Sequence, residues 1–124
     1  MLYYYWKADY KHMDTAEQRR HPRVSLASPL RYQFKNTHRF GSTVGLDISE
    51  GGLKFFSEEF MPIGTSMVLE ICLGSMLKFI NAVADVVWLR KMPHSERYQV
   101  GLKFSEIDEP YHQLVRDYIK ARLS

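Results

Sequence analysis

The strongest constraint on the fold is a hydrophobic period of two. Met67, Leu69, Ile71 and Leu73 alternate with Val68, Glu70 and Cys72, and Tyr98, Val100, Leu102 and Phe104 alternate with Gln99, Gly101 and Lys103. Successive side chains of an extended chain point to opposite faces, so each run can present one apolar face to a core. Residues 30–35, 42–48, 52–56 and 78–91 share this β-prone character. Turn chemistry separates the runs at Ser28-Pro29, Glu50-Gly51-Gly52, Pro62-Ile63-Gly64, Gly74-Ser75 and Met92-Pro93-His94. Six short strands joined by short loops predict an antiparallel sheet or a small barrel.

After Asp108 the period changes. Asp108 is suited to an N-cap and Glu109-Pro110 to a first helical turn, and apolar residues then recur at Tyr111, Leu114, Val115, Tyr118 and Ile119. The spacing predicts one amphipathic helix of about fourteen residues, with Arg116, Asp117 and Lys120 on its wet side. The expected architecture is all-β: a six-stranded antiparallel β-barrel with a C-terminal amphipathic α-helix covering an open end or side.

With 124 residues the chain has the length of one domain. Glu70 and Asp85 interrupt its longest apolar stretches, so no membrane span is expected. The opening Met1-Leu2-Tyr3-Tyr4-Tyr5-Trp6 is too short for a signal-peptide core and has no basic leader, which predicts a cytoplasmic chain. The single cysteine, Cys72, reads as a small buried hydrophobe in a reducing compartment. Five scattered histidines without ligand spacing predict no metal. The formal charge is +3, and residues 1–23 carry five basic side chains against three acidic ones. That concentration favours a local anion site over a nucleic-acid stripe.

Two constellations could carry chemistry. Gln18-Arg19-Arg20-His21-Pro22-Arg23 crowds three guanidiniums before the first strand, where Pro22 opposes a regular helix. Arginine binds phosphate bidentately and reads the O6/N7 edge of guanine, so an anionic partner explains the cluster; a solvated basic linker is the plain alternative. Asp47-Ile48-Ser49-Glu50-Gly51-Gly52 lies at a strand-to-strand turn. Asp47 and Ser49 would share one side of the strand while Ile48 enters the core, and a carboxylate can accept the N1–H and N2–H₂ donors of guanine. Gly52 would allow a positive φ or close approach of a ligand, although a simple hairpin turn also explains the segment.

Together, Arg19-x-x-x-Arg23 and Asp47-x-Ser49-x-x-Gly52 resemble the two-part signature of the PilZ domain, the bacterial receptor module for cyclic di-GMP. Ala84-Asp85-Val86-Val87-Trp88 and Tyr98-Gln99-Val100-Gly101-Leu102-Lys103-Phe104 resemble that family's last two strands. The resemblance covers residues 17–124 and leaves 1–16 as an aromatic and basic extension. It implies a six-stranded barrel with the arginine motif folding over the dinucleotide. Arg19 and Arg23 would grip guanine and phosphate, Asp47 and Ser49 would read guanine, and Gly52 would make room. Many members have an arginine before the RxxxR where this chain has Gln18, which leaves the number of bound ligands open. Arg20, inside the motif, either faces water or contacts a phosphate, Arg90 is a further phosphate candidate, and Trp88 is a candidate for stacking on a base as well as for the core.

The resulting expectation is a non-enzymatic cyclic di-GMP receptor or adaptor without cofactor. Ligand would order the arginine loop, reposition residues 1–18 and so signal to an unidentified protein partner. One alternative is a PilZ-like interaction module that binds no nucleotide. Another is a small barrel for single-stranded RNA, although its strands are only sparsely basic and no nucleic-acid polymer is expected. The Tyr3–Trp6 tract could pack on the barrel, self-associate or dock a partner. No nucleophile has a base nearby in sequence, which makes an enzyme the weakest reading.

Overall fold

The apolar alternation closes on itself in the computed structural model, which describes residues 21–74 and 78–123. The strands are β1 (Val24–Ser25), β2 (Pro29–Phe34), β3 (Phe40–Ser49), β4 (Gly52–Ser57), β5 (Ser66–Leu73), β6 (Lys78–Lys91) and β7 (Tyr98–Ile107), followed by helix α1 (Glu109–Leu123). Six of them pair in the order β3-β2-β5-β6-β7-β4, and β4 pairs back onto β3 to close an antiparallel ring. Closure leaves these strands no open edge to template aggregation. β1 lies outside the ring against the end of β3, with Val24 opposite Ile48 and Ser25 opposite Asp47.

The inward faces form one core. Leu30, Ile48, Leu53, Phe55, Leu69, Ile71, Ile80 and Val100 are each at most 1 % exposed, and burying such a side chain contributes roughly 1.5–3 kcal/mol. Tyr32 of β2 stacks on Phe55 of β4 over the intervening β3, with ring centroids 5.7 Å apart. Met61, from the β4–β5 connection, is fully buried, as is Val115 of α1. The carbonyl of Asp108 accepts the amide of His112 at 2.9 Å, the first bond of the helix. Val115 and Ile119 are its buried residues, and Tyr111, Leu114 and Tyr118 pack beside them.

The expected strands 66–73 and 78–91 have the observed bounds, and β3 and β7 run a few residues further than 42–48 and 98–104. β1 is additional. It continues the line of β2 along β3 with one extra residue in the connection, where Ala27 takes a left-handed φ of 44°. Arg116 departs from expectation: instead of standing in water it reaches back to the β3–β4 turn and pairs with Glu50 at 3.3 Å.

Candidate functional site

Two β-bulges decide which side chains reach the outer wall. On β3, Gly41 and Thr43 lie opposite the buried Tyr32 and Leu30, and Gly45 lies opposite the buried Phe55. Strict alternation would put Asp47 and Ser49 on that same inner face. The register instead shifts between Gly45 and Asp47. The extra residue, Leu46, sends Asp47 outward and Ile48 into the core, where it is fully buried. β6 does the same: Ile80, Ala82, Ala84 and Val86 are buried, the register shifts between Val86 and Trp88, and Trp88 emerges opposite Gly101.

The outcome is a single outward row across five strands. Ser25 lies opposite Asp47, Asp47 opposite Lys54, Lys54 opposite Gly101, and Gly101 opposite Trp88. Asp47 sits between two cations: Arg23 Nη1 donates to Oδ1 at 3.0 Å and Lys54 Nζ to Oδ2 at 3.1 Å. All three side chains are 16–22 % exposed, so the pairs are only partly screened by water. The Lys54 ammonium also stands 5.8 Å from the Trp88 ring centroid, within cation–π range. Trp88 is buried, yet it packs on the outer wall and not in the barrel core. Arg90 follows on the same face opposite Gln99 and is half-buried.

The turn between β3 and β4 is tied down from both sides. Ser49 is buried; its hydroxyl accepts the Gly51 amide at 3.2 Å and donates to the Gly52 carbonyl at 3.4 Å. Gly52 is dictated by strand packing, since a Cβ there would stand 1.9 Å from the carbonyl oxygen of Leu102. The glycines with positive φ among the described residues are Gly64 and Gly74, so Gly52 does not serve as a left-handed turn residue. From α1, His112 Nε2 bonds the Glu50 carbonyl at 2.9 Å, and Arg116 Nη1 lies 3.2 Å from His112 Nδ1. A carbonyl only accepts and a guanidinium only donates, so Nε2–H faces the first and the Nδ1 lone pair the second. Tyr118 donates its hydroxyl to the Ser25 carbonyl at 3.2 Å, joining the same helix to β1.

The structure thus brings Arg23 and Asp47 together and places Ser49 and Gly52 in the adjoining turn. Gln18, Arg19, Arg20 and the Tyr3–Trp6 tract lie outside the described residues. Lys54 is the residue the sequence reading missed. Its signal was present: a hairpin turning at Glu50-Gly51 pairs Ser49 with Gly52, Ile48 with Leu53 and therefore Asp47 with Lys54. Among the described residues no group of three or more His, Cys, Asp or Glu side chains could hold a metal ion. None of the described helices is long and apolar enough to cross a membrane.

Comparison with known proteins places this geometry in context. The family model described as PilZ domain matches residues 17–121. The fold resembles the inhibitor of motility of Bacillus subtilis, with a TM-score of 0.71 and 24 % identity over 85 % of this chain and 51 % of that one. It also resembles the PilZ domain of YcgR from Escherichia coli with c-di-GMP (TM-score 0.66, 16 % identity, 86 % of this chain and 92 % of that one). A third likeness is to the MrkH–c-di-GMP complex of K. pneumonia, with a TM-score of 0.66 and 18 % identity over 85 % of this chain and 51 % of that one. The chain spans about half the length of the Bacillus subtilis and MrkH chains. No curated protein matches it.

Proposed function

Since the chain belongs to the PilZ domain family, we propose that it is a non-enzymatic receptor for cyclic di-GMP, with Asp47 as its guanine-reading residue. The observation that carries this reading is the bulge-driven exposure of Asp47 between Arg23 and Lys54. An ionised carboxylate accepts hydrogen bonds only, and guanine offers two adjacent donors, N1–H and N2–H₂, that match its two oxygens. Arg23 and Arg19 supply the charge-assisted bonds to phosphate and to the guanine O6/N7 edge. Ser49 and Gly52 serve the site through the shape of the turn, Trp88 and Arg90 flank it on the same outer face, and Arg20 is a further candidate for phosphate. Two of the similar structures are described as c-di-GMP complexes.

In the fuller mechanism the segment carrying Gln18 and Arg19 closes over the ligand at the boundary between an extension, residues 1–16, and the barrel. Closure then presents or hides a surface for a cytoplasmic protein partner. Calorimetric titration with cyclic di-GMP, with GTP and cyclic di-AMP as controls, tests the receptor reading. The expected result is saturable heat for cyclic di-GMP alone. Absence of heat would leave an interaction module that binds no nucleotide, and equal heats for all three would leave a general anion site. Hydrogen exchange tests the closure: ligand should raise protection over residues 18–24 and 47–52 while 66–73 and 98–104 stay unchanged. Equal protection in both states would mean a preformed site.

A further inference from the structure

We infer that Lys54 is a positioning residue for guanine recognition, acting through Asp47; the inference rests on Asp47 being the guanine acceptor. A carboxylate has about four lone-pair directions on its two oxygens. Arg23 takes one on Oδ1 and Lys54 one on Oδ2. Each oxygen keeps a further direction for an incoming donor, and two cations on opposite oxygens fix the plane of the group. That matters because the terminal torsion of aspartate is soft and broad, so an unheld carboxylate rotates away from a two-donor geometry.

Lys54 is itself held. Its side chain is 16 % exposed, and its ammonium stands 5.8 Å from the Trp88 ring. Trp88 in turn lies over Gly101, directly between Lys54 and Trp88 in the register. Support therefore runs along the row from Gly101 to Trp88 to Lys54 to Asp47, on four strands of a closed sheet. A cation held in this way makes Lys54 a determinant of base specificity and not a general phosphate anchor.

The discriminating probes are cyclic di-GMP and its inosine analogue, which keeps the phosphates, the ring N1–H and the O6/N7 edge but lacks the 2-amino group. Calorimetry would compare the unchanged protein with Lys54→Met and Lys54→Arg. The unchanged protein should prefer the guanine ligand. In Lys54→Met that preference should shrink by about tenfold, one charge-assisted hydrogen bond's worth, with little loss for the inosine analogue. Lys54→Arg, which can still donate to Oδ2 and face the indole, should restore it. Equal loss for both ligands would make Lys54 a phosphate contact and overturn the inference, as would unchanged affinities. Failure of the unchanged protein to bind cyclic di-GMP would instead defeat the receptor reading and this inference with it. If Lys54→Met unfolds, Lys54→Gln carries the same comparison.

Discussion

The indole of Trp88 lies where a side chain of Gly101 would have to stand: a Cβ on Gly101 would come within 2.0 Å of Nε1 and 2.1 Å of Cε2. The glycine is the reason a tryptophan fits on the outer wall at all. Gly101→Ala should therefore push the ring out of the row, at a cost of ~1–3 kcal/mol, the usual range for overpacking. Urea unfolding followed by tryptophan fluorescence checks this. The expected result is lower stability together with an altered native emission, and an unchanged native spectrum would show that the ring had not moved.

Gly52→Ala should be the more damaging glycine substitution. Its Cβ would meet backbone: the Leu102 carbonyl oxygen at 1.9 Å, the carbonyl carbon at 2.9 Å and Lys103 Cα at 3.1 Å. A side chain such as Trp88 can rotate away, whereas backbone can yield only by parting β4 from β7, which pair through six residues here. Stability should fall by more than in Gly101→Ala, with amide exchange accelerated along β4 and β7. The reverse order of the two stabilities would overturn this account.

Arg23→Ala and Arg19→Ala should each weaken cyclic di-GMP binding by roughly 10–150-fold, the equivalent of a charge-assisted hydrogen bond of ~1.5–3 kcal/mol. Arg→Lys at either position should rescue poorly, because an ammonium lacks the planar fork. Asp47→Asn should lower affinity more than stability: its amide presents donors toward a base that also donates, while the barrel core stays intact. Calorimetry and thermal melting measured side by side decide it. A collapse of stability in parallel with affinity would make Asp47 a structural turn residue.

The sequence made the strands legible wherever alternation was strict, because a period of two has only one way to bury its apolar face. Helix α1 was legible from its change of period, and its buried residues Val115 and Ile119 were among those expected. What escaped was every departure from regularity. Leu46 and the segment Val86–Trp88 carry no turn residue to announce a bulge, yet the register shifts there carry Asp47 and Trp88 to one outer row. The two residues of β1 are too few to show a period, and Ala27 marks the kink with a residue that rarely takes positive φ. Arg116 was placed in water by helix periodicity alone; its bond to Glu50 joins residues 66 apart in the chain, a separation no local pattern encodes.

Tyr32 predicts a pH dependence that belongs to the fold and not to the ligand site. Its phenol is raised above the ordinary tyrosine value of 10.0, first by burial and then by the charge and hydrogen bond of Glu59, with Arg39 opposing. The hydroxyl donates to Glu59 Oε2 at 3.3 Å, and Arg39 holds the other carboxylate oxygen at 2.6 Å. A raised folded-state value means that the native protein keeps the phenolic proton after the unfolded chain has lost it. Stability from this group is thus complete below pH 10.0 and is lost as pH rises through the folded-state value. Tyr32→Phe cannot ionise. The difference in unfolding free energy between the natural chain and Tyr32→Phe should stay level from about pH 8 to about pH 10 and then shift against the natural chain. Other tyrosines titrate in both proteins and cancel in the difference. Urea unfolding of the pair across that range measures it, and a difference that remained level through the alkaline limb would show that the Tyr32 phenol ionises alike in the folded and unfolded states.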